Sequence, residues 1–192
     1  MDILLIRHGA IAWPKGTYLG TTDVPLSPRG YAQMTSLAHH LKASVTPKKP
    51  ILISSDLTRC RESAAIVRSI WDPHMPLHID PGFREINLGL WEGKSKKEIA
   101  QHARGSYLLR GHFFDCFVPP NGESFRMLKR RVLCSLSFWE KHMPQGLMCL
   151  ITHAGVFRIL LAHFLAMPLA DTFRIPLDYG AYCTLTTGDR HE

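Results

Sequence analysis

Near its amino terminus the chain reads Ile3-Leu4-Leu5-Ile6-Arg7-His8-Gly9, an apolar run that leads directly into a cation, an imidazole and a glycine. Such a continuous apolar run predicts a buried strand of a parallel sheet that is covered on both faces. Ligands of open α/β sheets bind just beyond the carboxyl ends of these strands. Arg7 can donate to phosphate oxygens, and His8 carries a nitrogen nucleophile that works near neutral pH. The pattern therefore predicts a site at the end of this strand that binds an anion such as phosphate and presents a nucleophile to it.

A second part of the chain has the same order of residue types. Residues 148–155 read Met-Cys-Leu-Ile-Thr-His-Ala-Gly and lead into a helix-like segment, so His153 also follows an apolar strand. A third strand is predicted at 51–55, and Arg59 comes just after it near the start of a helix. Backbone N–H groups and the helix dipole favour anions at that position. His8, His153 and Arg59 are thus predicted at the carboxyl ends of strands or just beyond them.

Strands and helices alternate along the 192 residues, and no linker or low-complexity tract interrupts them. Apolar stripes and capping residues predict helices, which we place at 28–41, 56–70, 95–103, 123–139 and 155–164. Two further short strands are predicted at 77–79 and 182–185. We interpret residues 1–192 as a single α/β domain, with an insertion at about 94–122 that folds over the active site.

Several motifs, taken in order, resemble the histidine phosphatase superfamily, also called the phosphoglycerate mutase-like family. They are Arg7-His8-Gly9, the Gly-x-x-Asp-x-Pro-Leu-Ser run at 20–27, Ser-x-Leu-x-Arg at 55–59, Arg-Glu-x-x-x-Gly-x-x-Glu-Gly at 84–93, Gly-Glu-Ser at 122–124, and His153 after its strand. The resemblance covers nearly the whole chain. It implies a three-layer α/β/α sandwich with a mostly parallel central sheet.

The resemblance also implies catalytic roles. His8 would attack phosphorus to form a phosphohistidine, while Arg7, Arg59 and a protonated His153 would stabilise the phosphoryl group. Glu85 would be the proton donor to the leaving alcohol, and Glu92 would satisfy backbone donors in its turn. The roles require no metal and no cofactor. A metal site is the alternative use of two histidines and a carboxylate, but the spacing is no zinc motif and the arginines would repel a cation.

Substrate contacts are predicted at Arg7, Arg59, Thr21, Thr22 and Ala154. Many members of the family carry Asn near the position of Pro14, where its side chain helps to hold the phosphoryl group. Because proline has no donor, Thr17, Thr21 or Thr22 would have to take over this contact. Ala154 stands where a second glycine is common after the histidine.

Composition limits the partners that we expect. The formal net charge is +7, but the basic residues lie in small dispersed groups, so we expect a small phosphorylated substrate and no nucleic acid. The five cysteines include no Cys-x-x-Cys pair. With no secretory signal and no apolar run long enough to span a bilayer, we expect a cytoplasmic protein without a membrane partner. The sequence leaves a homodimer open.

The first hypothesis for function is a metal-independent phosphomonoester phosphatase. The Leu177-Asp178-Tyr179-Gly180 ending and the motifs at 20–27 and 84–93 look most like α-ribazole 5′-phosphate phosphatases, which act in cobalamin nucleotide-loop assembly. The alternatives are a phosphoglycerate mutase and a broad-specificity sugar or nucleotide phosphatase. A non-catalytic phosphate-binding module is the hypothesis from a different class.

Overall fold

A five-stranded sheet forms the centre of the computed structural model, which describes residues 2–44, 50–143 and 146–186. The strands are β1 (Asp2–Arg7), β2 (Pro50–Ser54), β3 (Leu77–Ile79), β4 (Leu147–Thr152) and β5 (Tyr182–Thr186). Their order across the sheet is β3-β2-β4-β1-β5. The first four are parallel, and β5 pairs antiparallel with β1. The predicted mostly parallel sheet is therefore confirmed.

Seven helices surround the sheet in the described residues. They are α1 (Pro28–Ser44), α2 (Thr58–Trp71), α3 (Lys96–His102), α4 (Arg104–His112), α5 (Phe125–His142), α6 (Ala154–Phe164) and α7 (Leu169–Thr172). Two short 3₁₀ turns, Pro81–Phe83 and Gly89–Trp91, lie in the loop before α3.

Alternating side chains of the strands build a core on each face of the sheet. Ile3 and Leu5 of β1 pack with the buried residues of α5 and α6. Leu4 and Ile6 point to the opposite face and pack with those of α1 and α2. This alternation is the pleat of a strand with both faces covered, and it explains why β1 is a continuous apolar run. The predicted three-layer sandwich is confirmed.

The register of β1 and β4 brings the two histidines together. Arg7 pairs with Thr152, and the amide of His8 donates to the carbonyl of Thr152 over 3.0 Å. Because the strands are parallel, the residues that follow them, His8 and His153, leave the sheet side by side at the same edge.

Residues 94–122 contain two helices where the sequence predicts one. Helix α3 begins with a complete capping box between Ser95 and Glu98, which is a local signal. Helix α4 buries no side chain fully, so the apolar stripe that would predict it is missing. Tyr107 of α4 is only partly buried, and it packs against the core together with Phe114 and Phe117, which follow the helix. Within the described ranges, no helix is long and apolar enough to cross a membrane.

Candidate active site

A cleft of about 800 Å³ opens where β1 ends. Four of the five predicted catalytic residues line it, namely Arg7, His8, Arg59 and Glu85. The fifth, His153, is fully buried beside them, with its ring centroid 5.2 Å from that of His8. The fold therefore brings together side chains that are up to 146 positions apart in the chain.

One hydrogen bond decides which nitrogen of the neutral His8 ring carries the proton. Nδ1 lies 2.8 Å from the carbonyl oxygen of Gly9. A carbonyl can only accept, so Nδ1 carries the proton and Nε2 keeps its lone pair. Burial, followed by the charges of Arg59 and Arg7, lowers the pKa of His8 well below its ordinary value of 6.5. His8 is therefore a neutral imidazole with one nitrogen available as a nucleophile.

His153 is also neutral, where the sequence analysis expects a protonated ring. The Nε–H of Arg59 donates to Nδ1 of His153 over 3.2 Å, and Nε2 of His153 lies 2.8 Å from the hydroxyl of Ser55. Since a guanidinium is always a donor, Nδ1 must be unprotonated, and Nε2–H donates to Ser55. Burial and then the Arg59 charge lower the pKa of His153 well below 6.5. The expectation of a charged His153 is therefore wrong for this arrangement.

Arg59 is fully buried and joins His153 to the loop before α1. Its Nη1 donates to the carbonyl of Thr22 over 2.8 Å, and its Nη2 donates to the carbonyl of Gly20 over 2.9 Å. With the bond to His153, three of its five N–H donors have partners among the residues that the structure describes, and the other two can serve a ligand of the cleft.

Arg7 is held by the segment that precedes β5. Its Nη1 donates to the carbonyl of Leu177 over 2.6 Å, and its guanidinium carbon lies 4.2 Å from the centre of the Tyr179 ring. Its Nε is buried and has no hydrogen-bond partner in the part of the chain that the structure describes. A buried donor without a partner is costly, and an anion in the cleft would satisfy it.

Glu85 lies against the amino terminus of α6. Both of its carboxylate oxygens accept from the amide of Gly155 at 3.1 Å, and Oε1 also accepts from the amide of Ile86 at 2.9 Å. A Cβ on Gly155 would overlap Oε1 of Glu85, so the glycine permits this close approach. The carboxylate is thus oriented at the edge of the cleft that holds His8.

The arrangement agrees with a comparison of the whole chain with known families. The family model of the histidine phosphatase superfamily (branch 1) matches residues 3–192. The chain belongs to the histidine phosphatase superfamily. It is therefore a phosphatase, as its motifs predict.

Relatives of this histidine phosphatase align over most of its length. The adenosylcobalamin/alpha-ribazole phosphatase of Salmonella typhimurium is 28% identical over 186 residues, which cover 96% of this chain and 90% of the relative. The crystal structure of the alpha-ribazole phosphatase from Shigella flexneri superposes with a TM-score of 0.84 at 27% identity, covering 96% of this chain and 89% of that one. The broad-specificity phosphatase YOR283W of Saccharomyces cerevisiae is 28% identical over 167 residues, or 83% of this chain and 68% of its own.

Three predicted substrate contacts are not part of the cleft in this histidine phosphatase. The hydroxyl of Thr21 donates to Oε1 of Glu92 over 2.9 Å, and that of Thr22 donates to Oε2 over 2.6 Å. Neither threonine, nor Ala154 at the start of α6, is among the described residues that line the cleft. Glu92 also accepts from the amides of Thr21 and Leu88, which is the structural role that its position predicts. The threonine hydroxyls therefore anchor a loop.

The insertion of this histidine phosphatase lies beside the cleft. Residues 94–122 contribute none of the described residues that line it. They border its wall instead, since the Arg110 guanidinium lies 5.5 Å from the centre of the Tyr18 ring, and Tyr18 lines the cleft. The aromatic side chains of the insertion pack on the core, and its position over the active site stays a prediction.

Several cleft residues were missed by the sequence reasoning. They are Trp13, Lys15, Arg29, Gln33, Asp178 and Tyr179, while Thr17 is the one of the three candidate threonines that lines the cleft. Gln33 joins two loops, since its amide nitrogen donates to the carbonyl of Tyr179 and its oxygen accepts from the amide of Ala10. For Asp178 and Tyr179, the signal that the sequence offers is the Leu177-Asp178-Tyr179-Gly180 run. Across the described ranges, no group of three His, Cys, Asp or Glu side chains could hold a metal ion.

Proposed function

We propose that this histidine phosphatase hydrolyses phosphomonoesters through a phosphohistidine on Nε2 of His8. The observation that carries the proposal is the bond from Nδ1 of His8 to the Gly9 carbonyl, because it leaves the lone pair on Nε2. Attack of Nε2 forms an N–P bond and breaks the P–O bond to the alcohol. Water then attacks the phosphohistidine and releases inorganic phosphate. Two displacements of moderate difficulty replace one difficult displacement.

Arg7 and Arg59 would stabilise the charge that spreads over the three phosphoryl oxygens. Phosphoryl transfer depends mainly on alignment and on this electrostatic stabilisation, so two guanidinium groups beside His8 are the expected machinery. His153 would act through Arg59, which it orients, and through its packing against His8. Glu85 would protonate the leaving alcohol and then, as a carboxylate, accept a proton from the attacking water.

We propose α-ribazole 5′-phosphate as the substrate. Two of the relatives described above carry that specificity in their names, and each aligns over 96% of this chain. The cleft of about 800 Å³ is of a size that suits a small organic ligand, and Trp13 and Tyr18 in its wall offer aromatic surface to a flat base. A broad-specificity phosphatase is the second candidate, since the yeast relative is named as one.

We further propose that the enzyme works in the cytoplasm on small molecules. All five cysteines lie in the described ranges as free thiols, and Cys60 and Cys149 are fully buried. Free thiols of this kind are typical of a reducing compartment. Sedimentation velocity would decide between a monomer and a homodimer.

The test is phosphate release in the presence of a chelator, with α-ribazole 5′-phosphate, 3-phosphoglycerate, sugar phosphates and nucleotides as substrates. A preference for α-ribazole 5′-phosphate of at least about tenfold in kcat/KM, or roughly 1.4 kcal/mol, supports the proposed substrate. Similar and low values for all substrates favour the broad-specificity candidate. Absence of hydrolysis for the whole panel would contradict the proposed function.

A further inference from the structure

One face of α5 holds the loop that carries Glu85. Arg131, Ser135 and Trp139 are spaced four residues apart, so their side chains lie on the same side of the helix. The indole N–H of Trp139 donates to Oδ2 of Asp80 over 2.8 Å, and the hydroxyl of Ser135 lies 3.3 Å from Oδ1 of Asp80. These two bonds fix the start of the loop on the helix.

The loop approaches α5 closely at Gly82. A Cβ at this position would overlap the hydroxyl oxygen of Ser135, so only glycine permits the contact. The amide of Gly82 also donates to Oδ1 of Asp80 over 2.7 Å. The chain therefore enters the segment before Glu85 with little freedom to shift along the helix.

Arg131 completes the attachment by binding the backbone around the carboxylic acid. Its Nη1 donates to the carbonyls of Gly82 and Arg84 over 2.9 and 2.8 Å. Its Nη2 donates to the carbonyl of Glu85 over 3.2 Å and to the carboxylate of Glu123. All four Nη hydrogens are thus in use. A planar fork can serve three carbonyls and a carboxylate at once, whereas the ammonium of a lysine is a single point charge.

We propose that Arg131 is a positioning residue for Glu85, an inference that rests on the proposed role of Glu85 as the proton donor. Glu85 is held at two ends: α5 holds its backbone through Arg131, and α6 holds its carboxylate through the amide of Gly155. A general acid must lie within about 2.6–3.2 Å of the leaving oxygen, and a displacement of about 1 Å can cost roughly 100-fold in rate. Loss of the Arg131 fork therefore weakens proton donation.

A purely structural role of Arg131 makes a different prediction. If the residue only stabilised the fold, its replacement would lower the amount of active enzyme equally for every substrate. Positioning of an acid has a selective effect instead, because nitrophenolate leaves without a proton and an alkoxide does not. The comparison of two leaving groups therefore separates the two roles.

The experiment measures kcat/KM of the full chain with ribose 5-phosphate and with p-nitrophenyl phosphate. Glu85→Gln comes first, and we expect it to lower the value for ribose 5-phosphate by about 100-fold or more but to affect nitrophenyl phosphate much less. Arg131→Met should show the same selectivity, with a loss of about 100-fold for ribose 5-phosphate and about threefold or less for nitrophenyl phosphate. Arg130→Met, at the exposed neighbouring position, is the matched control and should change neither value.

Two further variants keep the inference testable if Arg131→Met does not fold. Arg131→Lys retains the charge beside Glu123. Its kcat/KM should fall more for ribose 5-phosphate than for p-nitrophenyl phosphate, but the loss should be smaller than in Arg131→Met. The double variant of Arg131→Lys with Glu85→Gln should lose no more kcat/KM for ribose 5-phosphate than Glu85→Gln alone, because the carboxylic acid that Arg131 positions is already gone.

Equal losses for both substrates, or additive losses in the double variant, would overturn the role of Arg131. If Glu85→Gln itself shows no selectivity between the leaving groups, both the role of Glu85 and the inference from it are overturned. Selectivity in Glu85→Gln without selectivity in the Arg131 variants overturns the inference alone and leaves the proposed function standing.

Discussion

Arg59 donates from Nε to Nδ1 of His153 over 3.2 Å, so a permanent cation and a buried imidazole share one hydrogen bond in which the imidazole accepts. The bond requires a neutral His153 and fixes the plane of the guanidinium. His153 thereby acts on the cleft through the orientation of Arg59, which lines the cleft, rather than through a charge of its own.

Replacement of Arg59 by lysine should remove this geometry while it keeps a positive charge. We expect kcat/KM to fall by about 100-fold or more, because the fork that holds the 20–22 loop and faces the cleft is lost. Phosphate release with p-nitrophenyl phosphate measures the effect. Arg61→Lys on the exposed side of α2 is the control and should keep wild-type activity. A fully active Arg59→Lys enzyme would remove Arg59 from the proposed mechanism.

His8→Ala tests the nucleophile. We expect turnover to fall by at least about 10⁴-fold and labelling of the protein by ³²P-substrate to disappear, since no other group replaces Nε2. Circular dichroism should show an intact fold. His39→Ala, which changes an exposed histidine of α1, should label like the wild type. Retention of the label in His8→Ala would place the phosphoryl group elsewhere.

Thr22→Val tests whether Thr22 anchors a loop or contacts the substrate, as the sequence predicts. The hydroxyl donates to Oε2 of Glu92 over 2.6 Å, so its loss leaves a half-buried carboxylate oxygen without this donor. We expect the free energy of unfolding to fall by about 1–3 kcal/mol while KM stays within about twofold of the wild type. Urea unfolding and steady-state kinetics measure the two quantities. A large rise in KM with unchanged stability would return Thr22 to the substrate site.

Stability should decrease in mildly acidic solution because of His8 and His153. Burial and the neighbouring arginines lower the pKa of both rings well below 6.5. Below pH 6.5 the unfolded chain therefore binds protons that the folded chain does not bind, and the free energy of unfolding falls as the pH falls. The slope is about 1.4 kcal/mol per pH unit for each ring, until its folded pKa is reached.

Urea unfolding at pH 7 and pH 5.5 checks this expectation. His8→Gln removes one of the two rings and should reduce the loss of stability between these pH values. A pH dependence that is equally steep in the variant and in the wild type would show that His8 titrates alike in both states.

Much of the fold could be predicted from the chain because its signals are local. The apolar runs that end in Arg7-His8 and Thr152-His153 are short patterns, and they specify strands whose parallel pairing brings their ends together. The capping box at Ser95 likewise marks the start of α3. Arg59 is also indicated by its place after a strand and near the start of a helix, whereas Glu85 could be assigned a role only because its motif resembles that of a family.

The direction in which each side chain points was decided by the tertiary structure. Thr22 lies 70 positions from Glu92 in the chain, and only the packing of their two loops turns the hydroxyl to the carboxylate instead of the cleft. The neutral state of His153 needs burial together with an arginine 94 positions away. Sequence alone thus determined which strands end in reactive residues. Packing over long separations decided which of those residues face the ligand and with what charge, because both burial and hydrogen-bond partners are properties of the folded chain.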